Sequence, residues 1–137
     1  MPSEFVLDAS VAAKVFFFEE GSEAARACVS SGDVVCAPDL LFIELASMAA
    51  KRVRQGISSD DRALGALRSV GSIVDLVAPS RDHSERAYAL ARDHGFSVYD
   101  GVYLALAEER AIPVVTADER LLRRAESAGM GARVLRL

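Results

Sequence analysis

Cysteine and histidine, the residues that build disulfide frameworks and zinc sites, are scarce in this sequence. It contains two cysteines, Cys28 and Cys36, with two histidines and no tryptophan. The cysteine spacing matches neither a zinc site nor a disulfide framework, so we interpret both cysteines as reduced, buried, small apolar residues. The sequence therefore predicts a fold that is held together by an apolar core.

Long apolar segments are also missing. The hydrophobic fraction is 51%, but no apolar run reaches the length of a membrane span. Residues 1–4 carry no basic stretch and lead into a short apolar segment ending at Asp8, which is not how secretory signals are built. We expect a globular, cytoplasmic protein without a membrane segment, and the length suits one domain over residues 1–137.

Lysine is rare, and the balance of charge is acidic. The 16 basic residues include only two lysines, and the net charge is −4. This balance argues against a protein that coats nucleic acid. It is compatible with an enzyme acting on nucleic acid, because arginines can contact phosphates beside a carboxylate-rich metal site. Five arginines could line a nucleic-acid path, although solvated helix faces explain them equally well: Arg52, Arg54, Arg120, Arg123 and Arg124.

Short apolar runs alternate with segments of helical period. This alternation is typical of an α/β fold in which helices cover a parallel sheet. We predict five strands, mostly parallel, at about residues 5–7, 34–37, 73–77, 113–116 and 132–137. We predict helices at about residues 10–18, 22–30, 39–54, 58–70, 82–95, 99–110 and 118–128.

Two aspartates follow predicted strands. Asp8 ends the first strand, and Asp118 comes just after the fourth. Ligands of open parallel sheets bind beyond the carboxyl ends of the strands, so both residues are candidates for a site. Each also has a purely structural explanation, because aspartate is favoured at the start of the following helix.

Two further acids project from apolar helix faces. Glu44 has Leu41 and Met48 among its helical neighbours, and a carboxylate buried there needs compensation. An ion pair with Lys51 or Arg52 is one alternative.

Asp100 lies in a similar position, between Phe96 and Tyr103. Its alternative explanation is a first-turn acid favoured by the helix dipole. If all four acids converge, their mutual repulsion demands a cation, and a set of oxygen ligands suits Mg²⁺ or Mn²⁺ rather than zinc.

Four segments resemble the motifs of PIN domains, in the family's order: residues 5–10 (FVLDAS), 38–44 (PDLLFIE), 99–107 (YDGVYLALA) and 115–118 (VTAD). The chain length also resembles that of the VapC toxins of bacterial toxin–antitoxin pairs. The resemblance implies a three-layer α/β/α fold and an endoribonuclease that depends on Mg²⁺ or Mn²⁺. It also implies a VapB-type antitoxin that blocks the site.

The resemblance carries over to six residues. Four match the family's catalytic and metal-binding acids, with Asp8 and Asp100 the surest ligands: Asp8, Glu44, Asp100 and Asp118. Ser10 and Thr116 match hydroxyl positions that support the site. Each hydroxyl lies two residues from a site aspartate, close enough to hold a carboxylate or a bound water by a hydrogen bond. Helix capping for Ser10 and an ordinary strand position for Thr116 are the alternatives.

Other interpretations stay open. A housekeeping RNA-processing nuclease would share the fold but have no antitoxin. A receiver-type signalling domain also binds magnesium, but it would have paired acids after the first strand and a lysine near the last, whereas the only lysines here are Lys14 and Lys51.

Residues 16–18 are three phenylalanines that cannot all face one side of a helix. Core packing accounts for at least two of them, and the third could face solvent, an antitoxin or the second subunit of a homodimer.

Overall fold

Seven helices and one five-stranded sheet form within residues 3–137, the part of the chain that the computed structural model describes. The strands are β1 (Glu4–Leu7), β2 (Val34–Pro38), β3 (Leu76–Ala78), β4 (Val114–Thr116) and β5 (Val134–Arg136). The helices are α1 (Ala9–Phe16), α2 (Ser22–Val29), α3 (Leu40–Arg54), α4 (Asp60–Ser69), α5 (Ser84–His94), α6 (Val98–Arg110) and α7 (Glu119–Ser127). None of the helices in these residues is both long and apolar enough to cross a membrane.

The sheet confirms the predicted α/β class and is entirely parallel. Its strand order is β3-β2-β1-β4-β5, and each neighbouring pair is parallel. The chain runs outward from β1 to β3 and then returns to the other side of β1 for β4. The order therefore reverses between β1 and β4, and such a switch point is where open α/β sheets bind ligands.

Helices cover both faces of the sheet, as the predicted three-layer α/β/α fold requires. Right-handed crossovers place α1 to α4 on one face, whereas the return to β4 and β5 places α5 to α7 on the other. The packing agrees, since α1 contacts α2 and α3, while α6 contacts α5 and the central strands. Phe5, Val6 and Leu7 of β1 are completely buried, as expected for a central strand with helices on both sides.

The third strand lies further along the chain than its apolar run predicts. Val70–Ile73 continues α4 as a 3-10 turn, so Ile73 is not part of the sheet. Pairing begins where the Asp75 N–H donates to the Val35 carbonyl, followed by the strand Leu76–Ala78. Apolar side chains packed from a turn look the same in sequence as those packed from a strand, which explains the wrong boundary.

The three consecutive phenylalanines have different environments, as expected. Helix α1 ends at Phe16, which is half-buried, and the extended backbone of Phe17 turns its ring into the core. Phe18 is 72% exposed and lies near two guanidinium groups, those of Arg26 and Arg62. The prediction that core packing accounts for two of the three is confirmed, as is burial of the two free cysteines.

Candidate active site

The structure brings all four predicted acids to one edge of the sheet. Asp8 follows β1 and Asp118 lies two residues after β4, and these two strands are neighbours at the switch point. Asp100 lies in the first turn of α6, and Glu44 is the fifth residue of α3. The acids are close enough for charges within the group to raise the pKa values of Asp8, Glu44 and Asp100. Asp118 raises the pKa of Asp8, while Asp8 raises the pKa values of both Glu44 and Asp100.

Asp8 is buried and held by two hydroxyl groups. Its Oδ2 accepts hydrogen bonds from Ser10 Oγ at 2.5 Å and from Thr116 Oγ1 at 2.8 Å. Burial raises the Asp8 pKa, and the bonds from Ser10 and Thr116 oppose that shift because they stabilise the charged form. Its Oδ1 accepts no hydrogen bond from residues 3–137, so one oxygen of a fixed carboxylate is left for a ligand.

The same two hydroxyls connect the two halves of the site. Ser10 Oγ accepts from the Ala117 N–H, and Thr116 Oγ1 accepts from the Asp118 N–H, both at 3.0 Å. They therefore tie the start of α1 to the loop between β4 and α7. Ser10 does not cap α1, because the N-cap residue is Asp8 itself. Thr116 is completely buried.

The strand-end aspartates are helix caps as well as members of the acidic group. Asp8 caps α1, and Asp118 Oδ1 accepts the Arg120 N–H at 2.9 Å at the start of α7. The structural explanation and the functional one are therefore compatible. A cap bond fixes the direction of a carboxylate while leaving it an oxygen that can bind a cation.

Glu44 does not form the ion pair that was its alternative explanation. Arg52 instead binds Glu19, at 3.0 Å, and Lys51 is exposed. Within residues 3–137, neither Glu44 nor Asp100 takes part in an ion pair. Both are partly buried, and burial is the largest cause of their raised pKa values, which for Asp100 reaches about 6.

Tyr103 is a polar member of the site that sequence reasoning treated only as part of an apolar helix face. The residue is completely buried, and its hydroxyl has no partner in hydrogen-bond geometry within the described residues. Burial raises the Tyr103 pKa, and the nearby charges of Glu44 and Asp8 raise it further. Its position three residues after Asp100, on the same helix face, is the signal that could have identified it.

The donor set fits a hydrated hard cation rather than a closed metal cage. In the described part of the chain, no three aspartate, glutamate, histidine or cysteine side chains lie close enough to hold one ion together. Zinc sites need at least three such ligands, whereas Mg²⁺ keeps several waters and is bound through one or two carboxylates. Asp8, with its unbonded oxygen, and Asp100, without an ionic partner, have the chemistry for that role.

Comparisons with known proteins identify the family of this chain. The PIN domain profile matches residues 5–127. The chain is 33% identical over 123 residues to ribonuclease VapC3 of Pyrobaculum aerophilum, covering 86% of this chain and 92% of that protein. It is also 33% identical over 129 residues to ribonuclease VapC12 of Mycobacterium tuberculosis, covering 94% and 95%.

A solved structure shares the fold at lower identity. One chain of a toxin–antitoxin complex from Klebsiella pneumoniae superposes with a TM-score of 0.64 at 19% identity, covering 96% of this chain and 95% of that one. Identity this low is evidence of the fold alone. The profile match and the two relatives at 33% identity show that this chain belongs to the PIN domain family.

Proposed function

We propose that this protein is an endoribonuclease that uses Mg²⁺ or Mn²⁺ to hydrolyse RNA phosphodiester bonds in the cytoplasm. One observation carries the proposal. Four carboxylates that are distant in sequence meet at the switch point of the sheet, and three of them have no ionic partner within residues 3–137: Asp8, Glu44 and Asp100. Such a group of like charges is stabilised by a divalent cation.

We further propose that the protein is the toxin of a type II toxin–antitoxin pair, with a small VapB-type antitoxin as its partner. Two relatives that match nearly their whole length are ribonucleases by name. One chain of a toxin–antitoxin complex shares the fold over nearly its whole length and nearly the whole length of this chain. These likenesses support the toxin interpretation over a housekeeping RNA-processing nuclease.

The chain's own residues orient the reaction. Ser10 and Thr116 hold one oxygen of Asp8 and thereby fix the carboxylate, whose other oxygen accepts no hydrogen bond from residues 3–137. Asp8 and Asp100 would hold the cation, which when bound would supply charge neutralisation at the scissile phosphate and a lowered pKa for the attacking water. Hydrolysis then forms one bond from the water oxygen to phosphorus and breaks one phosphorus–oxygen ester bond, so no side-chain nucleophile is needed.

Purified protein incubated with defined RNAs tests the nuclease proposal. Wild type and Asp8→Ala are compared in Mg²⁺, in Mn²⁺ and in chelator, with Asp82→Asn as a control because Asp82 is an exposed aspartate outside the site. We expect cleavage by wild type and by the control in either metal, and none by Asp8→Ala or in chelator. Cleavage by wild type that survives chelation would contradict the metal-dependent mechanism.

Growth of cells that express the protein tests the toxin proposal separately. We expect expression of wild type to arrest growth, Asp8→Ala to have no effect, and co-expression of a small protein encoded next to the gene to restore growth. An active nuclease whose expression leaves growth unaffected would favour the RNA-processing alternative.

A further inference from the structure

Three arginines of α7 line an open groove that begins at the acidic site. Its inner part, about 210 Å³, lies between Asp100 and the loop Gly95–Ser97 on one side and Arg120 and Arg124 on the other. An adjoining part, about 320 Å³, extends along α7 past Arg123 to Ser127. We refer to both parts together as the α7 groove.

Two of the three arginines of the α7 groove have no acidic partner in the part of the chain that the structure describes, and Arg120 is the third. In the described residues, Arg123 and Arg124 form no ion pair, and Arg120 lies only at 4.0 Å from Asp118. Glu119, the acidic neighbour of these arginines in sequence, binds Arg136 instead. The groove is therefore a local concentration of positive charge on a protein whose net charge is −4.

The local backbone keeps the guanidinium groups accessible. Arg120 and Arg124 are one helical turn apart, about 6 Å along the axis of α7. Opposite them, Gly95 ends α5 with a φ of 74°, a conformation that favours glycine. A Cβ atom at Gly95 would lie 3.4 Å from Arg124 Nη1, so the missing side chain leaves the forked donors free to contact a ligand.

We propose that the α7 groove binds the phosphate backbone of the RNA strand on one side of the scissile bond. The inference rests on the proposed ribonuclease function and assigns the residues that position its substrate. Arginine is suited to this role because its planar fork matches phosphate oxygens. The groove leads directly to Asp100, so a strand held there enters the acidic site. Phosphate contacts position a strand without reading its sequence.

The salt dependence of RNA binding tests the groove. The dissociation constant of a labelled single-stranded RNA is measured at KCl concentrations from about 25 to about 200 mM, a range over which salt screening changes strongly. All proteins carry Asp100→Asn and are kept in chelator, so that the RNA stays intact. We expect Arg123→Gln/Arg124→Gln to weaken binding and to lower the slope of log Kd against log salt by about 1.4, because each neutralised phosphate of a single strand adds about 0.7 to that slope.

Arg68→Gln is the matched control, because Arg68 is an exposed arginine of α4 that forms no ion pair within residues 3–137. It should leave the slope unchanged, and all variants should keep the parent's melting temperature, because these side chains lie on the surface. Equal slopes for the groove and control variants would overturn the proposal. That result would favour an acidic protein as the ligand of the groove instead. If the slope falls but wild type cleaves no RNA in Mg²⁺ or Mn²⁺, the groove still binds RNA and the nuclease proposal fails.

Discussion

At Asp100, the metal-free protein contains a carboxylate that is unfavourable in its charged form. Burial, followed by the charges of Asp8 and Asp118, raises its pKa to about 6 from an ordinary value of 3.8. The protonated form is therefore favoured in the folded state. The stability that the protonated Asp100 carboxyl contributes is fully present below pH 3.8 and is lost as the pH rises through about 6.

We predict that Asp100→Asn raises the melting temperature in chelator by a few degrees at pH 7.5 and changes it little at pH 4.5. The amide cannot ionise, so the mutant escapes the repulsion that wild type meets above pH 6. RNA cleavage in Mg²⁺ should fall by about 100-fold or more, as when a group that stabilises transition-state charge is lost. Thermal unfolding at both pH values checks the first part. A mutant less stable than wild type at pH 7.5, or one that cleaves normally, would contradict this account of Asp100.

The hydroxyl of Thr116 gives a second prediction at the residue scale. Thr116→Val removes the bond to Asp8 and the acceptor for the Asp118 N–H but keeps the side-chain shape. We expect a loss of about 10–100-fold in Mn²⁺ affinity and in cleavage, because supporting hydrogen bonds orient metal ligands. Thr116→Ser keeps the hydroxyl and should restore most of both. If Val and Ser behave alike, Thr116 fills space only.

Single residues differ in how far the sequence reveals them. Asp8 and Asp118 could be predicted because strand ends in a parallel sheet share one edge, and Glu44 because a carboxylate on an apolar face needs a partner. The position of Tyr103 three residues after Asp100 indicates the shared helix face, but the direction of its hydroxyl depends on packing and could not be predicted. The ion pair between Arg52 and Glu19 joins residues that are far apart in sequence. The sequence therefore could not show that Arg52 has an acidic partner while Arg123 and Arg124 of α7 form no ion pair within residues 3–137.

At the scale of elements, the position of Asp100 depends on close packing between α5 and α6. Gly101 faces the backbone of Ala87, and a Cβ atom there would lie 2.9 Å from the Ala87 carbonyl oxygen and 3.0 Å from its Cα. Backbone atoms cannot move aside as the end of a flexible side chain can. The glycine therefore sets the distance between the two helices.

We predict that Gly101→Ala destabilises the protein by about 1–3 kcal/mol, the usual cost of overpacking a core. It should also reduce cleavage, because α6 carries Asp100. Gly65→Ala is the control, since Gly65 is inside α4 and a Cβ there meets no atom within 4 Å. Alanine should stabilise that helix by about 0.5–1 kcal/mol. Chemical denaturation measures both, and similar changes at the two glycines would show that α5–α6 packing is not tight.

Element order was predictable, whereas some element ends were not. The alternation of apolar runs and helical periods indicates all five strands and all seven helices in their observed order within residues 3–137. The strand β5 is shorter than predicted because Gly131–Arg133 forms a 3-10 turn before it. Short turns bury apolar residues as strands do, so periodicity alone cannot place the boundary.

At the scale of the whole molecule, opposite charges are separated in space. Acids gather at the switch point between β1 and β4, and the arginines of α7 lie beside them. Within residues 3–137, Arg123 and Arg124 form no ion pair, and Arg120 lies 4.0 Å from Asp118. An overall charge of −4 conceals this arrangement, because composition reports only the sum. A cation in the acidic site would reduce its repulsion of RNA phosphates, while the arginines attract the rest of the strand.

Mn²⁺ binding measured by calorimetry in the absence of RNA tests most directly whether the distant acids form one cation site. We predict that Asp8→Asn and Asp100→Asn each weaken binding by about tenfold or more. The double variant should weaken it by less than the product of the two single effects, because both residues serve one site. Asp82→Asn should bind as wild type does. Affinities within twofold of wild type for both single variants would contradict a shared cation site.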